Sequence, residues 1–210
     1  MIHYTKEDIQ NMDRIKRLKI INSVSGIKPA NIIGSIAEDG TTNLAIFSSV
    51  MHLGSDPALL GFILRPKGDV PRHTFDNINR NNQYTINHIN SSFVEKAHYT
   101  SAKFDKEISE FSRCGLNEEF VEGFEAPFVA ESDFKMGMKF VHAIEIPINN
   151  TLLVIGEIEH IVFSPEVINS DHNINLELAN SVGISGLNSY YSLSKIAEYP
   201  YARVTEVPKF

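Results

Sequence analysis

Three kinds of residue are scarce in this chain, and each scarcity closes off a class of protein. There is one cysteine, Cys114, and no tryptophan. A lone thiol cannot close an intramolecular disulfide, which excludes a disulfide-stapled secreted module and points to a reducing compartment, the cytoplasm. Basic residues are outnumbered, 19 Lys and Arg against 26 Asp and Glu, for a formal charge of −7. Sequence-independent phosphate binding needs a basic stripe, so nucleic acid is not expected as a partner. The longest apolar run, Ala58 to Leu64, falls far short of the roughly 20 residues that cross a bilayer, so no membrane association is expected. Met1 to Asp8 has neither the basic start nor the apolar stretch of an export signal, and without export the sequons at Asn90 and Asn149 are chance matches.

Familiar chemical motifs are missing as well. No Gly-x-Gly-x-x-Gly and no Gly-rich Lys-Ser/Thr loop occurs, which removes the Rossmann and P-loop readings. Asp171, Asn173 and Asn175 imitate a calcium loop, but Leu176 stands where glycine is needed and Val182 where glutamate is needed. The eight histidines form no His-Glu-x-x-His and have no cysteine pair beside them, so no metal site is expected. Cys114 follows Arg113, which lowers a thiol pKa, yet a single cysteine before Gly115 fits an inert thiol better than a nucleophile. No catalytic side chain is singled out.

What is present suits one sizeable core: 42% hydrophobic residues, with 13 Phe and 7 Tyr in 210 residues. At about 150 residues per domain, and with no repeat or linker, residues 1–210 are expected to form a single domain. Thr5 followed three residues later by Asp8 predicts a short capped helix to Met12. The basic run Arg14 to Lys19 is expected to be a solvated strand edge. Lys19–Ser25, Ala30–Ala37, Asn43–Val50 and Ala58–Leu64 are β-branched or aromatic runs, separated by turns at Gly26–Pro29, Glu38–Gly40 and Gly54–Pro57. After a polar loop from Arg65 to Arg72, the pattern predicts a helix over Thr74–Asn81, a strand over Tyr84–Ile89 and a helical excursion from about 93 to 130. Within that excursion, Phe93–Thr100 is its clearest helix and Ala102–Ala130 has no clean period. Phe134–Ile146 and Leu152–Phe163 make a hairpin turning at Asn149-Asn150, a strand or helix is expected near Ile174–Ala179, and the tail is irregular. Short connections favour antiparallel neighbours, and closing such a sheet removes its edges, so a mainly β barrel with a few peripheral helices follows.

One constellation carries chemistry. Asn43-Leu44-Ala45-Ile46-Phe47 runs into the hydroxyls of Ser48 and Ser49, and Arg65, Arg72, His73 and Thr74 come just before or at the start of a helix. Hydroxyls, fixed cations and the positive end of a helix are what a phosphate monoester requires. The same residues also suit ordinary strand serines, solvated loop charges and a helix N-cap.

The segment Asn43 to Ser49, followed by Ser55-Asp56-Pro57-Ala58-Leu59-Leu60-Gly61-Phe62, resembles the signature of the flavin reductase-like, FMN-binding split-barrel family. Arg72-His73-Thr74-Phe75-Asp76-Asn77-Ile78 and Tyr84-Thr85-Ile86-Asn87 are similar to two further blocks, and the likeness extends through Pro127–Ser132 to Val154–Ile158. Ile46 stands where the family often has Pro, Met51 where it often has Asn, and Arg72-His73 where Lys-Asp is common. The resemblance implies an antiparallel Greek-key split β-barrel, homodimeric, with FMN near the subunit interface. By position, Asn43, Ala45 and Phe47 would line the flavin ring, and Ser48, Ser49, Arg65, Arg72 and Thr74 would hold its phosphate. Tyr190 and Tyr191 resemble the family's aromatic carboxy-terminal segment, which approaches the flavin from either subunit, although two tyrosines packed on the barrel would look the same. The implied activity is hydride transfer from NADH or NADPH to bound flavin, with electrons passing to a second acceptor such as a monooxygenase or other redox partner. A flavin-binding electron carrier indifferent to NAD(P)H, and a barrel without flavin serving as a binding module, are the alternatives.

Overall fold

The computed structural model describes residues 1–66 and 72–209, so positions 67–71 of the expected Arg65–Arg72 loop lie outside the described residues. Two helices begin the chain, α1 (Lys6–Asn11) and α2 (Arg14–Ser23). The expected cap of α1 is reciprocal: Asp8 N–H donates to Thr5 Oγ1 at 3.2 Å, and Thr5 N–H donates to the Asp8 carboxylate at 2.8 Å. α2 corrects the expected basic strand edge and the strand over Lys19–Ser25. The Asp13 carboxylate accepts from the amides of Ile15 and Lys16, and this cap starts a helix through residues that no sheet neighbour holds extended.

The strands follow as β1 (Lys28–Pro29), β2 (Asn31–Ile36), β3 (Thr42–Phe47), β4 (Met51–Ser55) and β5 (Ala58–Leu64). Next come α3 (His73–Asn81), β6 (Gln83–His88), α4 (Val94–Tyr99), α5 (Glu110–Cys114), β7 (Glu118–Val121) and β8 (Phe124–Val129). β9 (Phe134–Ile146) and β10 (Thr151–Phe163) form the expected long hairpin, and β11 (Val182–Ser185) and β12 (Ser189–Ser192) complete the set. The stretch 102–130 is therefore not a helical excursion. Only α5 is helical there, and a hairpin turning at Gly123, with φ of 79°, accounts for most of the rest. Ile174–Ala179 is neither a named strand nor an α-helix: Ile174 makes an isolated antiparallel bridge with Ile168, and turns begin at Leu176.

Seven strands form one antiparallel sheet in the order β3-β2-β6-β9-β10-β5-β4. Its inner face encloses the main core, including Ile33, Phe62, Tyr84, Ile86, Met138 and Val154, and α3 adds Ile78 and Phe75 to that core. A second core lies across β3 from the first: Leu44 and Ile46 pack with Phe93 and Ala97 beside α4, Phe111 of α5 and Ile184 of β11. β8 lies against β2 and β6 through side chains standing in for strand pairing. Asn87 Oδ1 accepts from Val129 N–H at 3.0 Å, and Thr85 Oγ1 donates to the Pro127 carbonyl at 2.7 Å. The Pro127 carbonyl comes so close to β2 that a Cβ on Gly34 would overlap it. At the rim, the Lys28 ammonium donates to the carbonyls of Asn22 at 2.8 Å and Gly186 at 3.4 Å.

Candidate functional site

β3 is an edge strand, and its alternation splits its residues between two faces. Leu44 and Ile46 enter the second core, which leaves Asn43, Ala45 and Phe47 together on the opposite face. Phe47 meets Phe62 edge to face at 4.9 Å, and Ala45 pairs in register with Ile33. Asn43 is buried, and its amide donates to Thr74 Oγ1 at 3.0 Å and to Ser35 Oγ at 3.3 Å. Asn77, one helical turn after Thr74, donates to the same Ser35 oxygen at 3.2 Å. Because Thr74 Oγ1 accepts from Asn43, its own proton remains available to a ligand.

This network fixes the start of α3 against β3. No side chain caps α3, and its first closing bond runs from Asp76 N–H to the Arg72 carbonyl, so the amides of His73, Thr74 and Phe75 have no partner among the described residues. Arg72 immediately precedes the helix. One of its terminal nitrogens donates to the Pro66 carbonyl at 2.9 Å, whereas its Nε is buried with no partner among the described residues. Helix amides, a guanidinium nitrogen and an oriented hydroxyl thus form a set of donors with no acceptor among the described residues. Such a set suits an anion of phosphate type.

Ser48 follows β3 and Arg65 follows β5, with Arg65 exposed. Ser49 is committed to the barrel: its hydroxyl accepts from Ile63 N–H at 3.0 Å and donates to the Ile63 carbonyl at 3.2 Å, stitching the β3–β4 corner to β5. Tyr190 lies on the second core, and its hydroxyl is 3.0 Å from His98 Nδ1. Burial pushes the Tyr190 phenol up to about 12. Tyr191 pairs with Gly183 and is half-exposed, so within one chain neither tyrosine joins the Asn43–Thr74 network.

The sequence did not single out Ser35, Asn77 or Glu110. Asn77 carried a signal, since it lies one helical turn from Thr74 and so shares its face. Glu110 carried none. Its buried carboxylate accepts from Leu44 N–H at 2.9 Å and so covers part of β3's open edge. Burial raises the Glu110 pKa, opposed by the Leu44 hydrogen bond and by the charge of His73, which brings α5 and the first residue of α3 into one electrostatic neighbourhood. Among the described residues no group of three or more His, Cys, Asp or Glu could hold a metal. Burial and the charge of Glu110 raise the Cys114 thiol, against a lowering by Arg113, in keeping with an inert cysteine.

Residues 27–176 match the family described as flavin reductase like domain. A protein from Shewanella frigidimarina NCIMB 400, assigned as a flavin reductase with a split barrel domain, superposes with a TM-score of 0.92 at 46% identity, over 96% of this chain and 100% of that one. Nitrilotriacetate monooxygenase component B from Bacillus cereus gives 0.83 at 17% identity, covering 95% and 98% of the two chains. Flavoredoxin of Desulfovibrio vulgaris (Miyazaki F) gives 0.73 at 20% identity, covering 84% and 92%. These two likenesses bear on the fold alone. No curated protein sequence matches the chain. With its matched span, its antiparallel split barrel and its 46% identical structural relative, the chain belongs to the flavin reductase-like family.

Proposed function

We propose that the protein is an FMN-dependent NAD(P)H oxidoreductase. The observation that carries this reading is the uncapped start of α3, where three amides and the buried Arg72 Nε, all without a partner among the described residues, lie within three residues of the Thr74 hydroxyl. This donor set fits the phosphate of FMN, with Ser48, Arg65, Arg72 and Thr74 as its holders and Ser49 fixing the corner that carries Ser48. Asn43, Ala45 and Phe47 form the bed for the ring, and the half-exposed Tyr191 completes it from a second subunit, while Tyr190 stays with His98 of its own chain. When bound, FMN supplies the redox chemistry, accepting hydride from a reduced nicotinamide and passing electrons to a second acceptor. The chain's own contribution is to orient the ring and exclude water, which requires no acid–base pair.

A homodimer is part of the proposal. Leu53 and Leu153 would both contact a Cβ on Gly61, so they share the outer face of the sheet, and Leu153 pairs in register with Ile63 and Ile144. Leu53 and Ile144 are 41% and 45% exposed. An apolar patch of this kind can meet its own copy across a twofold axis. The cytoplasm is the proposed compartment, and a monooxygenase or other redox protein is a proposed acceptor.

The test is anaerobic addition of NADH or NADPH to the FMN-loaded protein. Bleaching of the flavin absorbance is expected. A flavin reduced by a redox protein but by neither nicotinamide would make the chain an electron carrier instead.

A further inference from the structure

Two cavities, of about 470 and 330 Å³, open beside α4 and share Glu95 and Tyr99 as their common wall. The larger is lined by hydrogen-bonding and aromatic groups that include Ser91, His98, Asn188 and Tyr190. Its wall is fixed, because the Tyr190 hydroxyl is bonded to His98 and the two rings meet at 90°. The smaller carries Lys96 and Arg113 beside Phe104. Lys96 is held in place by donating to the Gly115 carbonyl at 2.6 Å, and Arg113 has no side-chain partner among the described residues. Two cations facing one small cavity stand out on a chain of net charge −7. Between the cavities, Tyr99 is 58% exposed, and Glu95 is exposed with its carboxylate unpartnered among the described residues.

The order of these groups along the groove is aromatic and amide, then carboxylate, then paired cations. A nucleotide diphosphate has the complementary order: a flat base, a ribose diol that donates to a carboxylate, and a charged diphosphate. The larger cavity also falls in the usual range of ligand pockets, roughly 300–1,000 Å³. The groove adjoins the proposed flavin strand, since Glu110 at the start of α5 accepts from Leu44 of β3 and Arg113 lies on the same helix.

We propose that this groove binds an adenosine diphosphate group, with the base against Tyr99 and Tyr190, the ribose at Glu95 and the phosphates at Lys96 and Arg113. The inference rests on the reductase reading for its occupant, the ADP half of the reduced dinucleotide. A carboxylate at the ribose accepts from a free 2′-hydroxyl and repels a 2′-phosphate, so the groove selects NADH over NADPH.

The test is calorimetric titration of the full-length, FMN-loaded protein with ADP and with 2′-phosphorylated ADP, alongside steady-state kinetics. ADP is expected to bind at one site per chain and the 2′-phosphorylated form about tenfold or more weaker. Lys96→Ala and Arg113→Ala are each expected to weaken ADP about tenfold and raise KM for NADH without changing kcat or FMN affinity. Glu95→Arg is expected to reverse the preference between the two ligands. No heat with ADP at millimolar concentration, or variants that bind it as the wild type does, would overturn the groove even if NADH bleaches the flavin. If neither nicotinamide bleaches the flavin while ADP still binds and the variants still lose it, the groove stands and the reductase reading falls.

Discussion

The two halves of the seven-stranded sheet are clothed very differently. β3, β2 and β6 are covered on the outside by β8, α4 and α5, and the edge of β3 is tied down by the Glu110 carboxylate. β9, β10, β5 and β4 leave Ile144, Leu53 and Met51 bare on theirs. The covered half holds every member of the Ser35–Asn43–Thr74–Asn77 network or the helix start it fixes, and the bare half holds none. A binding site needs side chains locked by their own surroundings, and an association face needs to be left free. The chain has divided these demands between two ends of one sheet.

The sharpest way to break this contrast is to add a single methyl group to each half. Gly34→Ala puts a Cβ into the Pro127 carbonyl and should cost about 3 kcal/mol or prevent folding. Gly54→Ala meets its nearest neighbour at an ordinary 3.5 Å and should cost less than about 1 kcal/mol. Urea midpoints of the two variants measure the difference. Next in size, Glu110→Ala leaves the buried Leu44 amide without its acceptor and should lower stability by about 2 kcal/mol in the same assay. Leu53→Lys, on the bare side, should change chain stability by no more than about 0.5 kcal/mol but abolish association, seen as a monomer in sedimentation velocity.

Acid should act on the covered half. Burial pushes His88 down from the usual 6.5 to about 4, with its ring 4.9 Å from that of Phe134. The unfolded chain therefore takes up this proton at higher pH than the folded one. The stabilisation is fully present above pH 6.5 and is lost as the pH falls towards 4. His88→Phe should flatten the urea midpoint across that window, and an unchanged slope would locate the titrating group elsewhere. No loss at all is expected from Tyr84→Phe. The Tyr84 hydroxyl is buried in the main core with no partner among the described residues, so its removal should leave stability unchanged or raise it by up to about 1 kcal/mol.

The same division governs what could be read in the sequence. β2, β5, β6 and the β9–β10 hairpin were legible because their β-branched, aromatic or unbroken apolar runs agree with the sheet that holds them. β4 was not, since Met51-His52-Leu53-Gly54-Ser55 has a glycine and a register break between His52 and Gly54. α2 was misread because Lys19 to Val24 has strand-like residues, and only the Asp13 cap and the lack of a neighbouring strand decide for helix. At the site, Asn43 and Thr74 were found separately, and the structure adds the bond that joins them. Glu110 could not be found, because its meaning depends on a contact with Leu44 across 66 positions that no local pattern encodes.

The Lys28 ammonium has a consequence for the whole polypeptide. By holding a carbonyl in the last turn of α2 and the carbonyl in the turn between β11 and β12, it clasps a loop of the chain that runs from residue 22 to residue 186. Neutralising that one amine, by acetylation for instance, would loosen α2 and the β11–β12 hairpin together, and a protease would then find two distant stretches of the chain at the same moment.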